Sequence, residues 1–232
     1  MGTVDCTDKT TREINREIKA LIKEGDKEIT VANPVGKHNL AVALLEQISV
    51  TFEGSVGYYC AGLMDGANIE INGSAGWGVG ESMMDGNVVV RGNAGNGAGA
   101  AMRGGKVIVQ GDAAARAGVS MKGGVLLITG DCGYMSGFMA QKGNIIVCGD
   151  AGEGFADSMY ATVCFVGGEP GELGTDAVIK DLDDEDLEFL NNTLETNVNG
   201  DAPDAAAFKK IVAGRKLWNF NKEDWATWRE AL

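Results

Sequence analysis

The chain reads as an all-β protein: a single-stranded, right-handed parallel β-helix with coils of about 19 residues and α-helical N- and C-terminal flanks. Three observations predict it. Glycines recur at 54, 73, 92, 111, 130, 149 and 168, spaced by 19 residues without slippage. Short, mostly apolar triplets precede them: Ile69-Glu70-Ile71, Val88-Val89-Val90, Val107-Ile108-Val109, Leu126-Leu127-Ile128 and Ile145-Ile146-Val147. A third column, Met64, Met83, Met102, Met121, Ala140 and Met159, keeps the same register. β-Branched triplets with several glycines per period suit strands joined at tight corners better than a helical repeat. The 35 glycines against three prolines follow no period of three, which excludes collagen.

Taken in order, residues 1–47 form a helical and strand-bearing cap. Ile14, Ile18, Leu21 and Ile22 make one apolar stripe on a helix over 8–24, with Thr10 or Thr11 as its cap and Gly25 as its stop. Glu28–Ala32 is a strand, Asn33-Pro34 a turn, and Leu40–Leu45 a short helix. This segment covers the open first coil, which is otherwise an unpaired edge.

Residues 48–170 are the coils. Side chains alternate across a strand, so Val50, Ile69, Val88, Val107, Leu126 and Ile145 face inward, as do Phe52, Ile71, Val90, Val109, Ile128 and Val147. Small residues at Ala75, Ala94, Ala113, Cys132 and Ala151 let each coil turn close to the core. The column between the two inward ones points out: Thr51, Glu70, Val89, Ile108, Leu127, Ile146, Phe165. From its third member it is apolar, so something must cover it, either the C-terminal part of the same chain or a partner.

Residues 171–232 are an acidic helical segment with a tryptophan-rich tail. Asp183–Leu194 reads as a helix with Leu187, Leu190 and Leu194 on one face, and Asp204–Ala213 as a second short helix. Trp218, Trp225 and Trp228 in the tail are candidate interface anchors, because tryptophan is enriched at binding hot spots.

The net charge of −13 argues against nucleic acid. Neither a signal peptide nor a membrane-length apolar run is visible, and Cys6, Cys60, Cys132, Cys148 and Cys164 form no C-x-x-C pair. A cytoplasmic protein with free thiols is expected. No catalytic, cofactor-binding or metal-binding residue is expected on this chain. The single histidine, His38, has no nucleophile motif to serve, and the cysteines do not stack in one column. Gly76, Gly78 and Gly80, like Gly95, Gly97 and Gly99, spell G-x-G-x-G, but a dinucleotide fingerprint is G-x-G-x-x-G before a helix. Recurring with the repeat, they read as structural corner residues.

These tandem G-x-G-x-G copies with apolar triplets between them resemble the β-helical GXGXG domain that ends glutamate synthase large subunits. The same domain occurs in one of the subunits of formylmethanofuran dehydrogenase. The resemblance covers about residues 48–170; the flanks, notably Arg215-Lys216-Leu217-Trp218-Asn219-Phe220, are most similar to the stand-alone GXGXG subunit of N-methylglutamate synthase. It implies a non-catalytic scaffold in an FMN-dependent, glutamate-synthase-like complex that makes N-methylglutamate and ammonia from methylamine and glutamate. FMN, with or without an iron–sulfur cluster, would sit on a barrel subunit, and a class II glutamine amidotransferase-like subunit would be the other partner. The GXGXG-bearing component of formylmethanofuran dehydrogenase and an assembly module without an enzyme partner stay open as alternatives.

Overall fold

The structure, a computed structural model, describes residues 1–198, 200 and 202–215. It is a parallel β-solenoid. Its strands are β1 (Gly2–Asp5), β2 (Glu28–Ala32), β3 (Ser49–Glu53), β4 (Asp65–Ile71), β5 (Asp85–Val90), β6 (Lys106–Val109), β7 (Lys122–Ile128), β8 (Lys142–Val147), β9 (Val163–Val166), β10 (Ala177–Lys180) and β11 (Lys209–Ala213). Strands β1 to β9 pair in parallel, in chain order, as one sheet. Val50, Ile69, Val88, Val107, Leu126 and Ile145 are successive partners, as expected, and none is more than 2% exposed. A second line of parallel bridges joins Val56, Ala75, Ala94, Ala113, Cys132 and Ala151, where small side chains bring neighbouring corners together. The methionine column fills the remaining interior.

The indexed glycine has a specific cause. In each coil the next residue (Ser55, Ser74, Asn93, Asp112, Asp131, Asp150) accepts a hydrogen bond from the backbone N–H 19 residues on, at 2.7–3.2 Å. A Cβ on Gly111, Gly130, Gly149 or Gly168 would come within 2.1–2.2 Å of that accepting oxygen. Only glycine leaves the oxygen room to tie coil to coil.

At the N-terminus, α1 (Thr11–Glu24) supplies the crossover that the parallel pair β1–β2 requires. Thr10 and Glu13 form a reciprocal capping box, and Gly25, at φ +99°, ends the helix. Ile14 and Ile18 are fully buried against the core. The strand β2 is in register with β3, pairing Ile29 with Val50 and Val31 with Phe52. The helix expected over 40–45 is not formed. Asn39, Ala41 and Ala43 have φ of 53–55°, the same alternation of left-handed residues seen at Tyr59, Ala61 and Leu63. With every second residue left-handed, the segment winds as a corner of the coil; Leu40 and Leu44 point in because the corner turns them in.

On the outer face of the sheet, α2 (Asp184–Asn197) lies along the solenoid. Its Leu190 and Leu194 pack with Ile108, Leu127, Ile146 and Phe165, joined by Leu187, Phe189 and Phe208. The chain thus covers its own apolar column. The helix expected over 204–213 is instead a single 3₁₀ turn (Ala205–Ala207) followed by β11. The strand β11 runs antiparallel between β9 and β10, because β9 offers an unpaired backbone edge that a helix could not satisfy. Ile211 then faces the core, while Lys210 faces out to Asp183 and Asp186 at the start of α2. Burial opposes the Lys210 charge, yet these two carboxylates hold its pKa above the ordinary value.

Candidate functional site

The two G-x-G-x-G copies are built into the corners. Gly80 and Gly99 have φ of +68° and +64° and face inward; a Cβ on Gly80 would strike Val107 Cγ2 at 2.8 Å. Gly76 and Gly95 lie under the rings of the preceding coil, where a Cβ would meet Tyr58 Cδ1 or Trp77 Cδ1 at 2.7 Å. Gly78 and Gly97, at φ +69° and +71°, complete the left-handed alternation. Each glycine therefore answers a demand of winding or of close approach.

The nucleophile and base candidates are held in structural roles. Burial pushes the thiol of Cys60 up to about 12 and those of Cys132 and Cys148 up to about 11; it also raises Cys6 and Cys164. A thiol is a nucleophile only as its thiolate, and each of these shifts favours the thiol form at neutral pH. His38 Nδ1 accepts the Tyr58 backbone N–H at 2.8 Å, which commits that nitrogen. Among the described residues no three or more His, Cys, Asp or Glu side chains gather as a metal site, and no helix is long and apolar enough to cross a membrane.

What the coils do present is surface. His38 stacks on Tyr58 at 4.4 Å and Tyr58 on Trp77 at 5.2 Å, a three-ring stack climbing successive coils. Tyr58 is 40% and Trp77 50% exposed, and Tyr59, Leu63, Met84 and Tyr134 are exposed as well. On the outer sheet face α2 ends where Gln110 Nε2 meets the Asn197 carbonyl, at 3.4 Å. Beyond it lies a cavity of about 220 Å³ lined by Ser49, Thr51, Asn68, Glu70, Asn87 and Val89, into whose wall Asn87 Oδ1 is buried with no hydrogen-bond partner among the described residues. Rings presented on a rigid frame are what a protein partner grips. The ring stack went unread in the sequence, although His38, Tyr58 and Trp77 stand 20 and 19 residues apart. The anchors proposed from sequence, Trp218, Trp225 and Trp228, lie outside the described residues.

Comparison with known proteins agrees with the architecture. The family model described as "GXGXG motif" matches residues 4–199. Protein GlxC of Rhizobium meliloti (strain 1021) is 48% identical over 224 residues, covering 95% of this chain and 97% of that protein.

Proposed function

Because the chain belongs to the GXGXG motif family, we propose that it is a non-catalytic scaffold subunit of an FMN-dependent, glutamate-synthase-like complex. Within that class the proposed enzyme is N-methylglutamate synthase, which converts methylamine and glutamate to N-methylglutamate and ammonia. The observation that carries the reading is the unbroken stack from β1 to β9, which the family match spans almost end to end. At about 4.8 Å per step, such a stack spans roughly 38 Å and fixes the separation of whatever binds along it. Chemistry then belongs to the partners: a class II glutamine amidotransferase-like subunit and an FMN-binding barrel subunit, the latter carrying the flavin and any iron–sulfur cluster. This chain contributes orientation. A partner gripping it would bury on the order of 1,600 Å², with a few aromatic anchors supplying most of the energy.

The test is co-expression of the tagged chain with the amidotransferase-like and flavin-barrel proteins of the same organism. The expected result is a three-component complex whose flavin travels with the barrel subunit, and N-methylglutamate formation only when all components are present. Deleting 215–232 should leave the circular dichroism of the solenoid intact and abolish co-purification. Stoichiometric FMN on the chain alone, turnover by the chain alone, or assembly with formylmethanofuran dehydrogenase subunits would each overturn the reading.

A further inference from the structure

In a solenoid, what the winding demands is the same in every coil, so a side chain that departs from its column answers some other need. Tyr59 is the one aromatic in a column that continues Gly78, Gly97, Arg116, Met135, Gly154. Glu81 stands in the column Gly62, Glu81, Ala100, Val119, Phe138, Asp157, which carries one other acid. The coil brings Tyr59 and Glu81 together over Gly78. A Cβ on Gly78 would meet Tyr59 Cδ1 at 2.6 Å and Glu81 Oε2 at 2.8 Å, so ring and carboxylate flank the space that this glycine keeps empty. With Asn39, Val42, Gly62, Leu63 and Ser82 they line a cavity of about 240 Å³.

The two acids of the Glu81 column make a comparison within the molecule. Asp157 is satisfied: it accepts from Ser158 Oγ at 2.6 Å and from the Thr175 N–H at 2.9 Å, and these bonds hold its pKa below the ordinary value. The half-buried Glu81 carboxylate has neither a hydrogen-bond nor an ion-pair partner among the described residues. A lone carboxylate in a lining that is mostly apolar, with Asn39 and Ser82 as the other polar side chains, is short of a cation with its own donors. A divalent metal ion does not suit it, since calcium or magnesium takes six or more oxygens and, beside Glu81, only Asn39 and Ser82 add polar side chains to walls made by Tyr59, Leu63 and Val42. An organic ammonium does. Its N–H donors turn to Glu81, while its C–H surface lies on Leu63 and Tyr59, whose ring attracts cations through its quadrupole.

We infer that the Tyr59–Glu81 pocket binds an alkylammonium group, and the inference stands independently of the scaffold reading. Two sources share that chemistry, a free small amine and the end of a lysine side chain, and probes of different length separate them. The full chain is titrated near neutral pH with methylammonium chloride and with n-butylammonium chloride, against sodium chloride as the ionic-strength control, following backbone NMR shifts of residues 59–63 and 78–82. Saturable shifts with both probes assign a free small amine; saturation by butylammonium alone assigns a lysine side chain. In either case Glu81→Gln weakens binding at least about tenfold, since it removes the charge that recognises the cation. Tyr59→Leu weakens it a few-fold, the usual size of one ring's contribution. Unchanged circular dichroism of both variants keeps loss of binding distinct from loss of fold. Shifts no larger than those with sodium chloride, or equal binding by Glu81→Gln, would overturn the assignment. Failure here leaves the co-purification test of the scaffold reading untouched.

Discussion

Replacing Leu190 by alanine separates two levels of this structure. Leu190 is fully buried, and its contacts are with the outer column of Ile108, Leu127, Ile146 and Phe165; the inner core lies on the other side of the sheet. Truncating a buried leucine costs about 2–5 kcal/mol, through lost transfer energy and the cavity left behind. Beyond these apolar contacts, α2 is tied at one end by Lys210 to Asp183 and Asp186 and at the other by the Gln110–Asn197 bond. The coils are held differently, by in-register backbone bonds and inward columns that α2 never touches. The loss should therefore fall on docking of α2. At about 3 kcal/mol, local opening of the helix rises on the order of 100-fold. Hydrogen exchange read by mass spectrometry should show peptides from 184–197 losing protection by that factor, while peptides from β6 to β8 keep theirs. Equal loss in the rungs would refute the reasoning, because α2 would then be part of the solenoid's cooperative unit.

Two other outcomes follow from the same contacts. Val107→Asp puts a carboxylate at a position of zero exposure between Val88 and Leu126, an unpaired buried charge costing several kcal/mol; thermal unfolding should show a large drop in melting temperature or no folded protein at all. The α2 clasp should depend on pH at both ends of the scale. The Asp183 carboxylate, held below its ordinary 3.8 first by the Asp186 N–H and then by Lys210, contributes stability above that value and loses it as the pH falls through its folded pKa. Lys210, raised above its ordinary 10.5, contributes below that value and loses it as the pH rises through its folded pKa. Exchange protection in 184–197 should thus be flat between the two ordinary values, 3.8 and 10.5, and fall beyond them on either side; a Lys210→Met variant that kept the same alkaline fall would contradict the assignment.

The inner columns were legible because the in–out alternation and the period of 19 are both written in residue type, at Ile69, Val88, Val107 and their partners. The need for a cover was legible in the apolar outer column, and the leucines at 187, 190 and 194 offered one, but the sequence left a partner open as the alternative. The strand β2 escaped the register because its coil, from Ile29 to Val50, is 21 residues long. The corner at 39–43 escaped because Asn39, Ala41 and Ala43 adopt positive φ without a glycine among them, whereas the coils at 78–82 and 97–101 mark the same corner with Gly78 and Gly80, and Gly97 and Gly99. For β11, the pattern of Phe208, Ile211 and Val212 fits a helix as well as a strand; only the distant edge of β9 decides between them. Tyr59 and Glu81 are 22 residues apart in different columns, so their meeting over Gly78 depends on the winding itself.

The position of β11 also dictates an order of events. Each coil pairs with one already made, so the solenoid can wind from its N-terminus as the chain leaves the ribosome, every contact closing a loop of about one coil. The strand that enters between β9 and β10 is different: Lys209 meets Val166, and Lys210 meets Asp183 and Asp186 of α2. It can arrive only after β10 and α2 have been synthesised. Until then the last rung has a bare edge and the outer column is uncovered. Emergence of residues 209–213 is therefore the step that closes the end of the stack and clamps its cover in place, and a nascent chain stalled before β10 and α2 emerge would expose both surfaces to aggregation at once.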